Sequence, residues 1–299
     1  MVEFCDGVPY WKVDRGPFKK GSRAGGIKIN SVGMQYIRIG FKRKGVYAHR
    51  LAYYIYNGCI PENIDHADGD TMNNRAENLR ACDHSKNIAN CRANRRKNKS
   101  GYKGVYAQGN KWSSQIRHKN KLIHIGLFST KLDASKAYDV SAARIFGMFS
   151  VLNSTLTPSE FVNMSVGVPW VNRGATFDGM DCWSVVTLYF HLVHDIQIPI
   201  VRGYSDGSTP IADGFFQQAE SGWWRKEPGP SDGLVFAAFH GDIPAHVGVI
   251  TGGRCLHCLG SDDKPGSVGY HSIRTLEKLY SRLEYWRYVG NDCNPHPNG

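Results

Sequence analysis

A chain of 299 residues allows two or three domains with cores of their own, and 41% hydrophobic with 21% charged residues excludes wholesale disorder. The net charge of +11 is unevenly divided: residues 1–153 hold 27 Lys and Arg against 11 Asp and Glu, and residues 154–299 hold 10 against 15. The basic half suits a polyanion, because Lys and Arg release condensed counterions from a phosphate backbone, and the acidic half needs a different partner. No stretch reads as a membrane span or signal peptide, since the longest apolar run, residues 185–200, is broken by His191, His194 and Asp195. Of the eight cysteines, Cys5, Cys59, Cys82 and Cys91 form no Cys-x-x-Cys pair, which argues against a zinc finger in the N-terminal half.

Residues 26–30 and 36–40 alternate apolar and polar side chains and are predicted strands. Residues 47–56 place Leu51, Ala52 and Ile55 at helical spacing, and Asn57-Gly58 supplies a stop. Ile64-Asp65-His66-Ala67-Asp68-Gly69-Asp70 follows, with Asp68-Gly69 predicted as a hairpin turn and residues 74–90 as helix-rich. A hairpin followed by a helix brings Asp65 and His66 against a helical residue such as Asn87. Oxygen ligands of that kind suit a hard divalent cation, and a neighbouring imidazole can deprotonate water for attack on a phosphodiester.

His49-Arg50-Leu51, Ile64-Asp65-His66, Asp68-Gly69-Asp70, Asn73-Asn74-Arg75 and Glu77-Asn78-Leu79-Arg80 resemble phage HNH endonucleases, including the homing type, best over residues 49–90. The resemblance implies a ββα-metal nuclease with His66 as general base. Asp65 and Asn87 would hold a divalent metal, Mg²⁺ or Mn²⁺, and Asn78 would brace the hairpin loop. His stands at the Asn87 position in much of that family. His49 and Arg50 are assigned to DNA contact, and for His49 packing or phosphate contact near the helix start stands beside a catalytic role as the alternative.

Residues 92–99 form a basic linker carrying Arg92, Arg95, Arg96, Lys97 and Lys99. Three predicted strands, 103–107, 111–118 and 121–128, are separated by Gly109-Asn110 and Lys119-Asn120. A predicted helix from about Thr130 repeats Ala134, Ala137, Tyr138, Ser141, Ala142 and Ile145 on one face. Ser100-Gly101-Tyr102-Lys103-Gly104-Val105-Tyr106, Lys111-Trp112, Ile125-Gly126-Leu127-Phe128 and Ala137-Tyr138-Asp139 resemble the AP-two domain of plant transcription factors over residues 101–153. The resemblance implies a three-stranded sheet in the DNA major groove, with Lys103, Tyr106, Lys111, Gln115 and Arg117 near DNA. Tyr106 and Gln108 replace arginines of the plant pattern, so no sequence preference transfers. Trp112 and Tyr138 are expected in the core.

Residues 154–166 read as a linker. Beyond it, Asp181-Cys182-Trp183 opens a predicted helix over 185–193, and a cysteine at a helix N-terminus gains thiolate character. Residues 245–250 and 255–257 are predicted neighbouring strands joined by Gly252-Gly253, presenting His246 and His257 as base and orienter behind a thiolate. Gly167-Val168-Pro169-Trp170, Asp181-Cys182-Trp183 and His246-Val247-Gly248-Val249 resemble NlpC-like, papain-fold cysteine peptidases of the phage-tail group over residues 167–290. The resemblance implies Cys182 as nucleophile, His246 as base and His257 as orienter, acting on bacterial peptidoglycan. Ser184 stands where that family usually has Gly, and Cys258 is expected to be buried and inert.

The expected architecture is α+β and multidomain: an HNH domain (1–99), an AP-two-like domain (100–153), a linker (154–166) and a peptidase domain (167–299). The expected partners are double-stranded DNA, peptidoglycan and phage tail proteins. The host cytoplasm is the expected place of synthesis, with the virion tail a further destination. The alternative is a phage-tail peptidase whose N-terminal half binds DNA without cutting it.

Overall fold

The computed structural model describes residues 1–31, 33–41, 44–90, 98–199, 215, 219 and 222–290. Of the expected basic linker, Arg92, Arg95, Arg96 and Lys97 lie outside the described residues, as does Cys91. The chain divides into two compact units, Met1–Asn94 with Lys119–Lys121, and Arg95–His118 with Leu122–Gly299. Both mix α and β structure, with six α-helices among the described residues, and none of these is long and apolar enough to cross a membrane.

The first unit opens with a hairpin, β1 (Val2–Cys5) and β2 (Val8–Trp11), that periodicity did not predict. Asp6-Gly7 makes its turn with both φ angles positive, the conformation that matches strand twist. Next come β3 (Gly26–Ile29), β4 (Gln35–Phe41) and β5 (Lys44–Tyr47), an antiparallel sheet in that order. Fully buried Ile39 on β4 joins Trp11 and Ala48 in a small core. Helix α1 (Ala48–Asn57) ends on Gly58, whose left-handed φ of 73° lets its N–H reach the Tyr54 carbonyl. It buries Ala48 and Ala52, whereas Ile55, expected on that face, is exposed.

Strand β6 (Asn63–His66) pairs antiparallel with β7 (Leu79–Cys82), and α2 (His84–Ala89) follows, capped by the Asp83 side chain accepting from Lys86 N–H. Two expectations change here. Asp68-Gly69 is not the turn of a tight hairpin, because residues 67–78 form a long loop held by its own side chains. Residues 74–90 are helical at Ala76–Asn78 and His84–Ala89 but interrupted by strand Leu79–Cys82, because Leu79 is drawn into strand pairing by burial against Ile64 and Ala52.

In the second unit β8 (Val105–Gln108), β9 (Lys111–His118) and β10 (Lys121–Phe128) form a sheet with β9 central. Helix α3 (Lys131–Phe146), capped by Thr130, lays buried Ala134, Tyr138, Ala142 and Phe146 on it. Trp112 is half-buried. Buried Asp139 on α3 accepts from the backbone N–H groups of Asn153 (2.7 Å) and Ser154 (3.1 Å).

The stretch expected as a linker, residues 154–166, instead holds α4 (Pro158–Ser165). Thr157 and Glu160 form a capping box with Pro158 in the first turn, so the Thr-Pro-Ser that reads as spacer is a helix start. Fully buried Phe161 packs edge-on to Tyr189 at 5.4 Å. After the short hairpin of β11 (Ala175–Thr176) and β12 (Gly179–Met180) comes α5 (Cys182–His194). It packs on a six-stranded antiparallel sheet built from β13 (Trp224–Glu227), β14 (Val235–His240), β15 (Ile243–Thr251), β16 (Arg254–Cys258), β17 (Val268–Ser272) and β18 (Arg282–Tyr288), in the order β13-β18-β14-β15-β16-β17. Helix α6 (Ile273–Leu279) lies between β17 and β18 in the chain. Gly252 and Gly253, both at positive φ, turn β15 into β16, with the Asp232 carboxylate accepting from both N–H groups. Ala143, Leu156 and Phe161 share one core with Tyr189, Val249 and Leu256, so the packing does not break where the charge does.

Candidate functional site

In the first unit an open cleft of about 800 Å³ is lined by Asp65, His66, Asn87 and Asn90 together with Tyr36, Tyr47, His49 and Arg50. Strand pairing turns Asp65 and His66 inward, where they are 4% and 5% exposed. The Asp65 carboxylate accepts from Arg80 Nε at 2.7 Å and from Asn90 Nδ2 at 2.9 and 3.1 Å. Asn90 Nδ2 also donates to the His66 carbonyl at 2.9 Å. Asn90 is the C-cap of α2, three residues beyond Asn87. Sequence reasoning assigned it no role, and an asparagine at a helix C-terminus was the available signal.

The loop before β7 is built on two side chains. Asn78 donates through Nδ2 to Asp68 Oδ1 (3.0 Å) and to the Asn73 carbonyl (2.8 Å), and its Oδ1 accepts from Asp68 N–H at 3.1 Å. Asp68 also accepts from Asp70 N–H at 2.8 Å and from Asn73 Nδ2 at 2.7 Å. These bonds satisfy backbone groups that a strand or helix would otherwise claim.

His66 Nε2 is buried and has no hydrogen-bond partner among the described residues. Burial lowers the His66 pKa against the opposing effects of the Asn74 side chain, which bonds to the imidazole, and of nearby Asp68, Asp65 and Asp70, so the imidazole is neutral at pH 7. His49 meets His66 edge-on at 5.3 Å and stacks on Tyr47 at 5.6 Å. Burial first, then the adjacent His66 and Arg50, push its pKa down to about 4. Arg50 donates to the carbonyls of Glu62 and Pro61, which ties the start of α1 to the approach of β6.

The donors fit a hard cation. The Asp65 carboxylate accepts three of the roughly four bonds it can take, and Asn87 lines the same cleft with no side-chain hydrogen bond among the described residues. No group of three or more His, Cys, Asp or Glu that could hold a metal occurs among the described residues. Water and phosphate oxygens would supply the remaining positions, as Mg²⁺ readily accepts.

In the second unit the assigned positions Tyr106, Lys111, Gln115 and Arg117 lie on the sheet face opposite to Val105, Ser114 and Ile116, which are buried with α3. Tyr106, Lys111 and Arg117 are exposed, and Gln115 donates to Ser113 Oγ at 2.9 Å. Lys103 precedes the sheet and its backbone is clasped by the Asn153 side chain.

The cysteine region of the same unit is closed. Cys182 is the first residue of α5, behind the N-cap Asp181, and Ser184 completes a capping box with Asp181. The residue that departs from the peptidase pattern thus serves the helix start. Cys182 is 7% exposed, and burial, with Asp181 beside it, pushes its thiol well above the usual range against the backbone amides of Val247 and Trp183. The thiolate character expected from the helix N-terminus is therefore not realised, because desolvation outweighs the helix dipole. Among the described residues no hydrogen bond joins Cys182 to His246.

The imidazoles do meet. His246 Nε2 lies 2.9 Å from His257 Nδ1, and His257 Nε2 lies 2.9 Å from His271 Nδ1 on β17. Burial, then the neighbouring imidazole, holds His246 at about 3 and His257 at about 4. Tyr280 stacks on His246 at 5.8 Å. His271 carried no sequence assignment, but Gly269 was its signal, because a Cβ there would strike the His271 ring. Cys258 is buried, its thiol donates to the Met180 carbonyl, and burial raises its pKa to about 12.

No curated protein matches the chain. Residues 46–89 match the family described as HNH endonuclease, a span that includes Asp65, His66, Asn78 and Asn87 and stops one short of Asn90, and this stretch is an HNH endonuclease domain.

Proposed function

We propose that the chain hydrolyses phosphodiester bonds of double-stranded DNA, with His66 as general base in the cleft of the first unit. The observation that carries this is the buried His66 Nε2, which has no hydrogen-bond partner among the described residues, in the same cleft as Asp65 and Asn87. His66 takes the proton of an attacking water through Nε2. Arg80 and Asn90 fix the Asp65 carboxylate, and Asn90 at the same time fixes the His66 backbone, so acid and base keep their spacing. Asn78 holds the loop that carries Asp68 across the cleft rim. Mg²⁺ or Mn²⁺ held by Asp65 and Asn87 would neutralise charge developing on the phosphate. Lys103, Tyr106, Lys111, Gln115 and Arg117 add DNA contacts from the second unit.

The test is plasmid cleavage with and without Mg²⁺, comparing the intact chain with His66→Ala. Metal-dependent cutting should fall about 10²–10⁴-fold in the variant. Equal cutting by both proteins would remove His66 from the mechanism, and no cutting by either would remove the nuclease.

A second reading is favoured by the His246–His257 bond at 2.9 Å behind a helix-initial cysteine. In it the second unit is a cysteine peptidase of the phage-tail kind acting on peptidoglycan, with residues 167–299 as its domain. The closed thiol must then open to react. Release of stem peptides from purified wall by the intact chain, lost in Cys182→Ala, is the expected result, and no release by either would leave this site structural.

A further inference from the structure

The outer face of the β3-β4-β5 sheet is a shallow groove lined by Gly26, Lys28, Arg38, Gly40 and Gly45, with Lys44 at its end, where register sets it opposite Phe41 and so on the other face. Three of its residues are glycines inside strands, where glycine costs stability relative to other residues. None of the three has a positive φ, so the backbone does not require them. A Cβ on Gly26 or Gly40 would meet nothing within 4 Å, so packing does not require them either. At Gly45 a Cβ would strike the Arg38 guanidinium, so this glycine lets Arg38 lie flat against the sheet. What the glycines provide is bare backbone beside Lys28 and Arg38, both exposed and neither ion-paired among the described residues. Strand register sets Lys28 opposite Tyr36, and Arg38 opposite Tyr47. Both tyrosines therefore share this face, and both line the cleft of His66.

We propose that this face is a cradle for the phosphodiester backbone of DNA, leading past Tyr36 and Tyr47 to His66. It rests on the nuclease reading and adds to it the surface that presents the strand. Alternating anions and flat bases match a face of cations flanked by aromatic rings, and bare glycines let a sugar-phosphate chain lie close. An acidic protein would satisfy the cations without using the tyrosines or the continuity with the cleft.

The test uses the full chain carrying His66→Ala, in chelator, binding a fluorescein-labelled duplex over a range of salt. Against this background, the combined Lys28→Gln and Arg38→Gln variant should lower the slope of log affinity against log salt by about 2, since each lost duplex phosphate contact contributes about 0.9. Gly40→Glu keeps both cations, suits an ordinary φ, and should weaken binding by adding bulk and negative charge. Lys12→Gln with Lys19→Gln, whose ammonium groups face Glu3 and Asp14, should leave the slope unchanged. An unchanged slope in the double variant, or an equal fall per charge in the control pair, overturns the cradle. Cleavage by the chain with His66 intact is read in parallel. Cutting with an unchanged slope sinks the cradle and spares the nuclease, whereas no cutting sinks the nuclease whatever the slope.

Discussion

The HNH cleft and the cysteine region are built from similar side chains and treat them in opposite ways. In the first, His66 lines an open cleft with its Nε2 unclaimed among the described residues, and the acid beside it is clamped by Arg80 and Asn90. In the second, His246 and His257 spend nitrogens on each other and on His271, and Cys182 is sealed beneath them. Readiness for chemistry thus depends on which polar atom is left unpaired at a surface a substrate can reach, and having the right residue types in proximity does not supply it.

The sharpest way to break that contrast is at the clamp. Arg80→Leu should cost about 3–5 kcal/mol, because the Asp65 carboxylate stays buried with its charge uncompensated. Urea unfolding of the first unit reads this, and a loss under 1 kcal/mol would mean the pair is dispensable. Phe161→Ala should cost a comparable amount, about 3–5 kcal/mol, by opening a cavity between α4 and α5. A small effect there would restore residues 154–166 to the status of a spacer.

Next in size is a pH effect on the paired imidazoles. With folded values of about 3 and about 4 against 6.5, His246 and His257 stay neutral where the unfolded chain takes up protons. Their share of stability is complete above 6.5 and falls as pH drops below it, by about 1.4 kcal/mol per pH unit for each, levelling off near the folded values. Denaturation midpoints between pH 7 and 5 check the sign, and a midpoint that rises on acidification would contradict it. Alkylation measures the closed thiol directly: Cys5 and Cys59 are exposed and should label in the native state, while Cys182 should label only on unfolding. The smallest effect is at Ser184→Gly, which removes half of a capping box and should cost about 1 kcal/mol or less.

Strong periodicity was readable directly. Strands β9 and β10 fall on the predicted residues 111–118 and 121–128, and α3 begins after Thr130 as its cap implies. What escaped prediction was structure fixed by single polar atoms. Strand β7 contains a buried Arg80 whose presence makes sense only once Asp65 is opposite it. Helix α4 was hidden because Thr157 and Pro158 are equally at home in a spacer. Asp65, His66, Asn78 and Asn87 were legible as a motif, and the structure brings Asp65, His66 and Asn87 to one cleft with Asn78 in the supporting loop. Asn90, Tyr36 and Tyr47 were not, because their place depends on strand register and on where α2 ends.

The carboxylate of Asp139 binds the backbone on both sides of the 153/154 junction, where the charge of the chain changes sign. A protease needs several residues drawn out as a free extended strand, and here two successive amides are already committed to a buried anion. Nicking at this seam therefore demands that part of the α3 packing come apart first. Within the second unit the point where the charge changes sign is thus a packed seam and not a free tether.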